Sequence, residues 1–290
     1  MIDPSIENNV EAIEAWNTIL FDKFLRFRDA LTVGLALHGD ATLERHPPPI
    51  GARVIDVGCG FGDTTQQLAR MVGPTGLVVG VDAAARFIQL GRQEAEAAGL
   101  ANATFLVADV QADDLGGPYD QAFGRFGTMF FASPVMAMRN VRKAMRPGGL
   151  LSMVVWRSKA ENAWVHDVEQ KVLEIIPHVD KGDQVTCGPG PFSMASPDLV
   201  SAQLLAAGWE RITFERFDAE IRIASSLDEA LEFAMALGPA GEIIRLAGDE
   251  GVRKHGAVVA ALRELLAPSV RPDGVYGASS SWIVTARAPA

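Results

Sequence analysis

The stretch that decides the fold begins at Val54, ends at Gly62 and reads Val-Ile-Asp-Val-Gly-Cys-Gly-Phe-Gly. Its first four residues are typical of a short buried strand. The three glycines then allow a sharp turn in which the backbone can come close to a ligand. An amphipathic helix is predicted next, over residues 64–72. A strand, a glycine turn and a helix in this order predict the start of a parallel α/β sheet.

The rest of the chain continues this alternation of strands and helices. A helical pattern over residues 6–37 comes first and is broken before the prolines at 47–49. Predicted helices follow at residues 84–98, 161–176, 197–207, 227–247 and 252–266. Predicted strands lie at residues 77–81, 104–108, 119–123, 150–155, 212–217 and 281–287. The pattern predicts a doubly wound, Rossmann-like α/β fold with right-handed crossovers and ligands beyond the carboxyl ends of the strands.

Composition excludes several functional classes. The chain has 290 residues and a net charge of −10, from 26 basic and 36 acidic residues. This charge disfavours nucleic acid and anionic membranes as partners. Cys59 and Cys187 are too few for a disulfide framework or a zinc site, and no metal site is predicted. The first residues lack the basic-then-apolar pattern of a secretion signal, and the longest apolar run, residues 150–156, is too short to span a bilayer, so a cytoplasmic protein is expected.

Three aspartates follow three successive predicted strands. Asp56 ends the first strand, where a carboxylate suits a positively charged group. Asp82 lies 22 residues after Gly60, near the spacing at which an acidic residue binds a ribose. Asp109 ends the third strand and can accept a hydrogen bond from an adenine amino group. Asp63 stands where a dinucleotide fingerprint has its third glycine, which argues against NAD. For each aspartate alone, a helix cap or turn is the alternative.

Four segments together resemble the class I S-adenosylmethionine-dependent methyltransferases, in particular the ubiquinone/menaquinone-biosynthesis branch. They are Asp56–Gly62, Gly80–Asp82, Ala108-Asp109 and Arg146–Gly149, within residues 50–156. The resemblance implies a seven-stranded, mostly parallel sheet of order 3-2-1-4-5-7-6, with the seventh strand antiparallel. It also implies S-adenosyl-L-methionine as cofactor and S-adenosyl-L-homocysteine as product.

The resemblance assigns parts of the cofactor to matching positions of this chain. These are Asp56, Gly58, Cys59 and Gly60 for the methionine part, Asp82 and Ala83 for the ribose, and Asp109 and Val110 for the adenine. Trp16 is added because an N-terminal helix commonly closes over the cofactor in this family. The fourth-strand end lacks the Asn-Pro-Pro-Tyr-type motif of nucleic acid methylating enzymes, which further disfavours a nucleic acid substrate.

Two further side chains are candidates with open alternatives. Arg125 follows the fourth strand and can orient a cofactor carboxylate or an acidic substrate, and the alternative is a structural ion pair near Asp109 or Asp120. His166 is the first candidate for a general base, because the insert that carries it can lie over the carboxyl edge of the sheet. The alternative is a surface histidine. His178, just past the same helix, is a similar candidate.

The leading hypothesis is methyl transfer from S-adenosylmethionine to a small-molecule acceptor by in-line displacement, with an O, N or C nucleophile. A catalytically silent cofactor-binding module and an NAD(P)-dependent oxidoreductase are the alternatives. A homodimer is one option for assembly. The predicted division is an N-terminal helical segment (1–48), a cofactor-binding core (49–157), a cap insertion (158–195) and the remaining core (196–290), with a helical insertion at about 225–268.

Overall fold

One mixed sheet organises the molecule, for which a computed structural model describes residues 4–177 and 189–290. His178 and Cys187 lie outside these ranges. The strands are β1 (Arg53–Val57), β2 (Leu77–Asp82), β3 (Ala103–Val107), β4 (Tyr119–Arg125), β5 (Met145–Trp156), β6 (Glu210–Ala224), β7 (Val270–Arg271) and β8 (Gly274–Arg287).

The strand order is β3-β2-β1-β4-β5-β8-β6, and β7 pairs with β8 beside this path. Strands β1 to β5 are parallel, whereas β8 is antiparallel to both β5 and β6. The predicted Rossmann-like fold and strand order are therefore confirmed. The predicted count of seven strands is wrong by one, because β7 has only two residues, too few to give a periodic signal.

Eleven helices are assigned in the described part of the chain. They are α1 (Pro4–Asn17), α2 (Ile19–Arg26), α3 (Ala36–Arg45), α4 (Asp63–Val72), α5 (Ala85–Ala97), α6 (Pro134–Lys143), α7 (Ala163–Ile175), α8 (Pro197–Ala206), α9 (Leu227–Ala236), α10 (Pro239–Leu246) and α11 (Asp249–Leu266). Among these helices, none is both long and apolar enough to cross a membrane.

The helical pattern predicted over residues 6–37 is divided among several short helices. The chain instead forms α1, α2, a π-helical turn at Ala30–Gly34, and α3. At Gly34 a Cβ atom would lie 2.3 Å from the carbonyl oxygen of Arg222 on β6, so the turn packs directly on the backbone of that strand. Wrapping the segment around the sheet requires these breaks. A helical periodicity cannot show them, because it persists through each short interruption.

Two further differences arise at prolines. The helix predicted over 227–247 is two helices, α9 and α10, because Pro239 begins α10 and cannot continue α9. Helix α6 has no counterpart among the predicted elements, although Pro134 at its first turn is typical of a helix start. In both cases the proline in the sequence indicates the start of a helix.

Candidate active site

The glycine turn after β1 forms the floor of the candidate site. Gly58, Gly60 and Gly62 have φ values of +69°, +52° and +80°, a region that favours glycine. A Cβ atom on Gly58 would lie 3.0 Å from the Cα of Gly127, so this part of the turn is closely packed. On Gly60 the nearest atom would be a ring carbon of Phe87 at 4.0 Å. A ligand can therefore approach the backbone at Gly60.

Asp56 ends β1 as a buried carboxylate, with 1% of its surface exposed. One carboxylate oxygen accepts a hydrogen bond of 2.7 Å from Thr65 on α4. Burial raises the pKa of Asp56 to about 6, although the Thr65 hydrogen bond and the charge of Arg125 both lower it. Within residues 4–177 and 189–290, Asp56 forms no ion pair. A buried carboxylate of this kind can be stabilised by a cationic ligand.

Arg125 ends β4 on the other side of the glycine turn. Its Nη1 donates to the carbonyl oxygen of Thr32 at 3.2 Å. A Cβ on Gly39 would lie 2.8 Å from the Cδ of Arg125, so this glycine makes room for the arginine stem. Burial lowers the pKa of Arg125, whereas the charge of Asp56 raises it. The guanidinium thus lies in the field of Asp56.

The alternative of a structural ion pair for Arg125 is wrong. Asp120 pairs with Arg146, and Asp109 accepts hydrogen bonds from Asn9 and Gln111. Arg125 forms no ion pair with any residue that the structure describes. Its charge is therefore available to an anionic group of a ligand.

Asp82 joins the end of β2 to the glycine turn. Its carboxylate accepts the N–H of Gly60 at 3.0 Å through one oxygen and the N–H of Ala84 at 2.9 Å through the other. Burial raises the pKa of Asp82, and these hydrogen bonds oppose that rise. Each oxygen can accept a second hydrogen bond, as a ribose hydroxyl pair would require. Ala83 lies beside it and is half-buried.

Asp109 lies at the next strand end, where the N–H of Ala108 donates to the carbonyl of Asp82 at 3.0 Å. Its Oδ2 accepts a hydrogen bond of 2.5 Å from Asn9 of α1, and its Oδ1 accepts the N–H of Gln111 at 3.0 Å. Val110 is buried. The three predicted aspartates therefore follow neighbouring strands at one edge of the sheet. The contact with Asn9 had no sequence signal, because 100 residues separate the partners.

Aromatic packing draws the N-terminal helices onto this edge. The Trp16 ring lies 5.0 Å from Phe24, 5.1 Å from Phe130 and 6.4 Å from Phe87, measured between centroids. Phe87 is the residue nearest to the open side of Gly60. Trp16 therefore lies between the glycine turn and the loop after β4.

A charged contact holds the N-terminal segment in place, and no sequence pattern pointed to its residues. Arg28 donates to Glu94 at 2.5 and 2.7 Å and to Asp63 at 3.0 Å. Its guanidinium lies 4.7 Å above the centre of the Phe61 ring. Asp63, which argued against a pyrophosphate, thus has a structural partner from the N-terminal segment.

Two predicted residues have weaker structural support. His166 is half-buried on α7, and its side chain has no hydrogen bond or ion pair with a described residue, so its role as a base stays a prediction. Burial raises the pKa of the Cys59 thiol well above its ordinary value. Cys59 therefore offers its backbone rather than a reactive sulfur.

Phe126 and Trp156 form an aromatic wall at the ends of β4 and β5. The rings of Phe126 and Trp156 are stacked with centroids 3.9 Å apart and planes inclined by 20°. The backbone N–H of Trp156 points to the sulfur of Met129 at 3.3 Å. This wall adjoins Gly127, the residue packed against the glycine turn.

Comparisons with known proteins agree with this architecture. A family model described as a methyltransferase domain matches residues 50–193. The ubiquinone/menaquinone biosynthesis C-methyltransferase of Pseudomonas aeruginosa is 27% identical over 192 residues, which cover 62% of this chain and 73% of that enzyme. Aklanonic acid methyltransferase of Streptomyces sp. (strain C5) is 33% identical over 117 residues, covering 39% of this chain and 52% of that enzyme.

Solved structures share the fold at lower identity. The YcgJ protein of Bacillus subtilis has a TM-score of 0.56 and 15% identity, covering 89% of this chain and 98% of that chain. The [4+2]-cyclase SpnF has a TM-score of 0.52 and 22% identity, covering 88% of this chain and 81% of that chain. At these identities the likeness concerns the fold alone.

The chain is therefore a class I S-adenosylmethionine-dependent methyltransferase. Within that class it is similar to the ubiquinone/menaquinone C-methyltransferases, at modest identity. The predicted family, enzyme class and methyl-transfer reaction are confirmed.

Proposed function

We propose that this enzyme holds the methionine end of S-adenosylmethionine between Asp56 and Arg125 and methylates a small, largely apolar acceptor at the wall formed by Phe126 and Trp156. One observation carries the proposal. An acidic and a basic side chain lie within each other's field at the glycine turn, and in the described structure neither has an ionic partner. Such a pair suits a ligand that carries one charge of each sign.

The methionine end of the cofactor is a zwitterion. Its ammonium complements Asp56, and its carboxylate complements the guanidinium of Arg125, which can donate two hydrogen bonds in parallel. The ligand ammonium would compensate the buried carboxylate of Asp56 for its lost hydration, and it would lower the pKa of that group. The remaining contacts follow along the sheet edge, with Asp82 and Ala83 at the ribose and Asp109 and Val110 at the adenine.

Asn9 now holds the oxygen of Asp109 that faces α1. A carboxylate has about four acceptor sites, so an adenine amino group can share Asp109 with Asn9 or replace it. Either outcome couples the position of α1 to the bound nucleoside. Trp16, seven residues after Asn9 on the same helix, would then cover the cofactor from the N-terminal side.

When bound, the cofactor supplies an electrophilic methyl group on a positively charged sulfur. The residues of this chain would act chiefly by alignment and exclusion of water, which can provide much of the acceleration. Phe126 and Trp156 form a stacked, buried apolar pair beside the glycine turn. The N-terminal helices, fastened by Arg28, would close the opposite side.

The acceptor is proposed to be a small molecule with apolar rings. The names of two similar proteins, a ubiquinone/menaquinone biosynthesis enzyme and an aklanonic acid methyltransferase, point the same way. The net charge of −10 continues to disfavour nucleic acid. The attacked atom of the acceptor is an O, N or C nucleophile. His166, on the cap insertion, is the proposed general base.

Calorimetric titration tests the proposal with S-adenosylmethionine and its decarboxylated analogue, which lacks the carboxylate. The wild type should bind the intact cofactor about 30-fold more tightly than the analogue, as expected for a lost charged hydrogen-bond partner. Arg125→Gln should remove this preference. Arg139→Gln is the matched control, because Arg139 donates only to the carbonyl of Ala206 on the surface. An equal preference in wild type and Arg125→Gln would refute the proposed orientation.

Incubation with labelled cofactor and a metabolite extract separates an active enzyme from a silent cofactor-binding module. Transfer of label to a small molecule is expected. Tight cofactor binding without any transfer would support the silent module instead.

A further inference from the structure

We propose that the indole N–H of Trp164 binds the methyl acceptor, and that the acceptor is an apolar ring system bearing a carbonyl or similar oxygen beside it. This inference rests on the proposed function above, because it names the acceptor of the same site. It assigns to Trp164 the role of a specificity residue.

Trp164 stands next to the aromatic wall, at the start of α7. Its ring lies 5.8 Å from Trp156 and 6.0 Å from Phe233 on α9, and it is nearly parallel to Phe233, at 27°. A Cβ atom on Gly277 of β8 would lie 2.5 Å from the Cβ of Trp164, so the glycine lets α7 approach the sheet closely. Trp164 therefore links the wall at the strand ends to the helices of the C-terminal half.

The indole N–H of Trp164 is buried, and among the described residues it has no hydrogen-bond acceptor. Two other tryptophans of this chain show the usual arrangement. Trp209 donates to the carbonyl of Met138 at 2.9 Å, and Trp282 donates to the carbonyl of Ala195 at 3.0 Å. An unpaired buried donor is uncommon and costs about 1–3 kcal/mol. It requires an explanation that neither packing nor secondary structure supplies here.

A cavity of about 10 Å³ adjoins Trp164. It is lined by apolar side chains, among them Val168, Ile223, Ala230, Phe233 and Leu266. The volume suffices for about one water molecule, but a bound water needs two to four polar partners. The indole would be its main partner in this apolar lining. The apolar lining therefore disfavours a structural water as the partner of the N–H.

A ring system is larger than this cavity, so entry requires a displacement. Phe233 covers the face of Trp164, and α9 ends at Ala236, shortly before Pro239 begins α10. We infer that Phe233 and α9 move away from Trp164 when the acceptor enters. The acceptor ring then replaces Phe233 against the indole face, and its oxygen accepts the N–H.

The experiment uses the full chain saturated with S-adenosylhomocysteine and labelled with ¹⁵N at the indole nitrogens. The probes are 1-indanone and indane, which share a bicyclic skeleton and differ by one carbonyl. With 1-indanone, the proton resonance of the Trp164 indole should move downfield, and with indane it should not. The resonances of Trp209 and Trp282 should stay in place, because their donors are already occupied. An unmoved Trp164 resonance would overturn the inference.

Affinities give the second measurement. The wild type should bind 1-indanone about tenfold more tightly than indane, the scale of one hydrogen bond to a previously unpaired donor. Trp164→Phe should lose this ratio and keep its affinity for S-adenosylhomocysteine. Trp282→Phe is the matched control and should keep both. A Trp164→Phe protein that keeps the ratio contradicts the inference.

The two proposals fail in different ways. Absent binding of S-adenosylhomocysteine by a folded wild type would refute the proposed function. Normal cofactor binding, combined with no preference for the ketone, would refute only the role of Trp164. Folding of the Trp164→Phe variant is checked by thermal unfolding, which should stay cooperative, because removal of the unpaired donor offsets part of the packing that the smaller ring loses.

Discussion

The buried polar groups of this protein differ in how fully their hydrogen bonds and charges are paired, as His38 on α3 shows against Asp56 at the end of β1 and Arg125 at the end of β4. His38 on α3 is completely buried, with its Nδ1 2.8 Å from the hydroxyl of Ser281 and its Nε2 2.8 Å from that of Ser279. Ser279 donates its own proton to the carbonyl of Ala219. It therefore accepts from Nε2–H, and Nδ1 accepts from Ser281. Burial lowers the pKa of His38 to about 4, so the ring is neutral.

Asp56 and Arg125 are also shielded from water, but each has one hydrogen bond and no ionic partner within the described ranges. The comparison distinguishes buried polar groups that stabilise the fold from buried charged groups that are suited to binding a ligand. A buried group whose every donor and acceptor is used stabilises the fold. A buried charge without an ionic partner lowers the stability of the fold, and such charges are typical of ligand-binding sites.

The largest effect is expected from Asp56→Asn. The affinity for S-adenosylhomocysteine should fall about 100-fold, because the ligand ammonium loses its charged partner. The free energy of unfolding of the ligand-free protein should rise by up to about 3 kcal/mol at pH 8, because the pKa of Asp56 is raised from 3.8 to about 6 in the folded state. Calorimetry and urea unfolding measure the two quantities.

Asp114→Asn is the control for that prediction. Asp114 is an exposed aspartate that accepts the N–H of Gly116, and neither quantity should change appreciably. If Asp56→Asn binds as tightly as the wild type, the contrast between the two buried groups is wrong.

Acid should destabilise the protein through His38. The folded pKa of about 4 lies below the ordinary 6.5, so stability is present above pH 6.5 and is lost as pH falls toward 4. The loss should reach about 3 kcal/mol relative to His38→Gln, whose amide can donate to Ser279 and accept from Ser281 without titrating. Urea unfolding at pH 7, 5.5 and 4 provides the curves. His38→Gln should keep its cofactor affinity at pH 7, and a loss there would place His38 in the site.

Asp82→Ala should weaken cofactor binding by about 1–3 kcal/mol, through loss of the acceptor for the ribose hydroxyls. Part of this loss would come from the glycine turn, since Asp82 also accepts the N–H of Gly60. Asp82→Asn keeps one acceptor oxygen and should lie between wild type and alanine. Unchanged calorimetric affinity in both variants would move the ribose away from β2.

The smallest effect is a pH dependence of binding. Below about pH 6 the carboxyl of Asp56 is protonated in the free protein, so affinity for S-adenosylhomocysteine should rise about tenfold per pH unit up to that value and then level off. Asp56→Asn should give a flat profile between pH 5 and 7. A wild-type profile that is flat over this range would assign the ligand ammonium to another group.

The parts of the fold that sequence analysis recovered are those with local and repeated signals. Strands β1, β2, β3 and β5 contain short, largely apolar runs, and the turn at Gly58–Gly62 carries glycines at positive φ, a region that favours glycine. The N-terminal segment was predicted to be helical, but the breaks between its helices were not, because they depend on contacts with β6 and α5, which are distant in sequence. The position of Arg125 at the end of β4 was predicted from the sequence. Whether Arg125 forms an ion pair could not be predicted, because that depends on which distant residues pack beside it.

The sequence by itself determined the class of sheet, the edge proposed for the cofactor and the three aspartates along that edge, because each depends on spacing between neighbouring elements. Only the tertiary structure decided which polar groups are satisfied. His38, Arg28, Asn9 and Trp164 carry no local signal, since their partners, or the lack of one, depend on which distant segments pack beside them. Hydrogen bonding and burial are properties of the folded neighbourhood, and a one-dimensional pattern does not contain that neighbourhood.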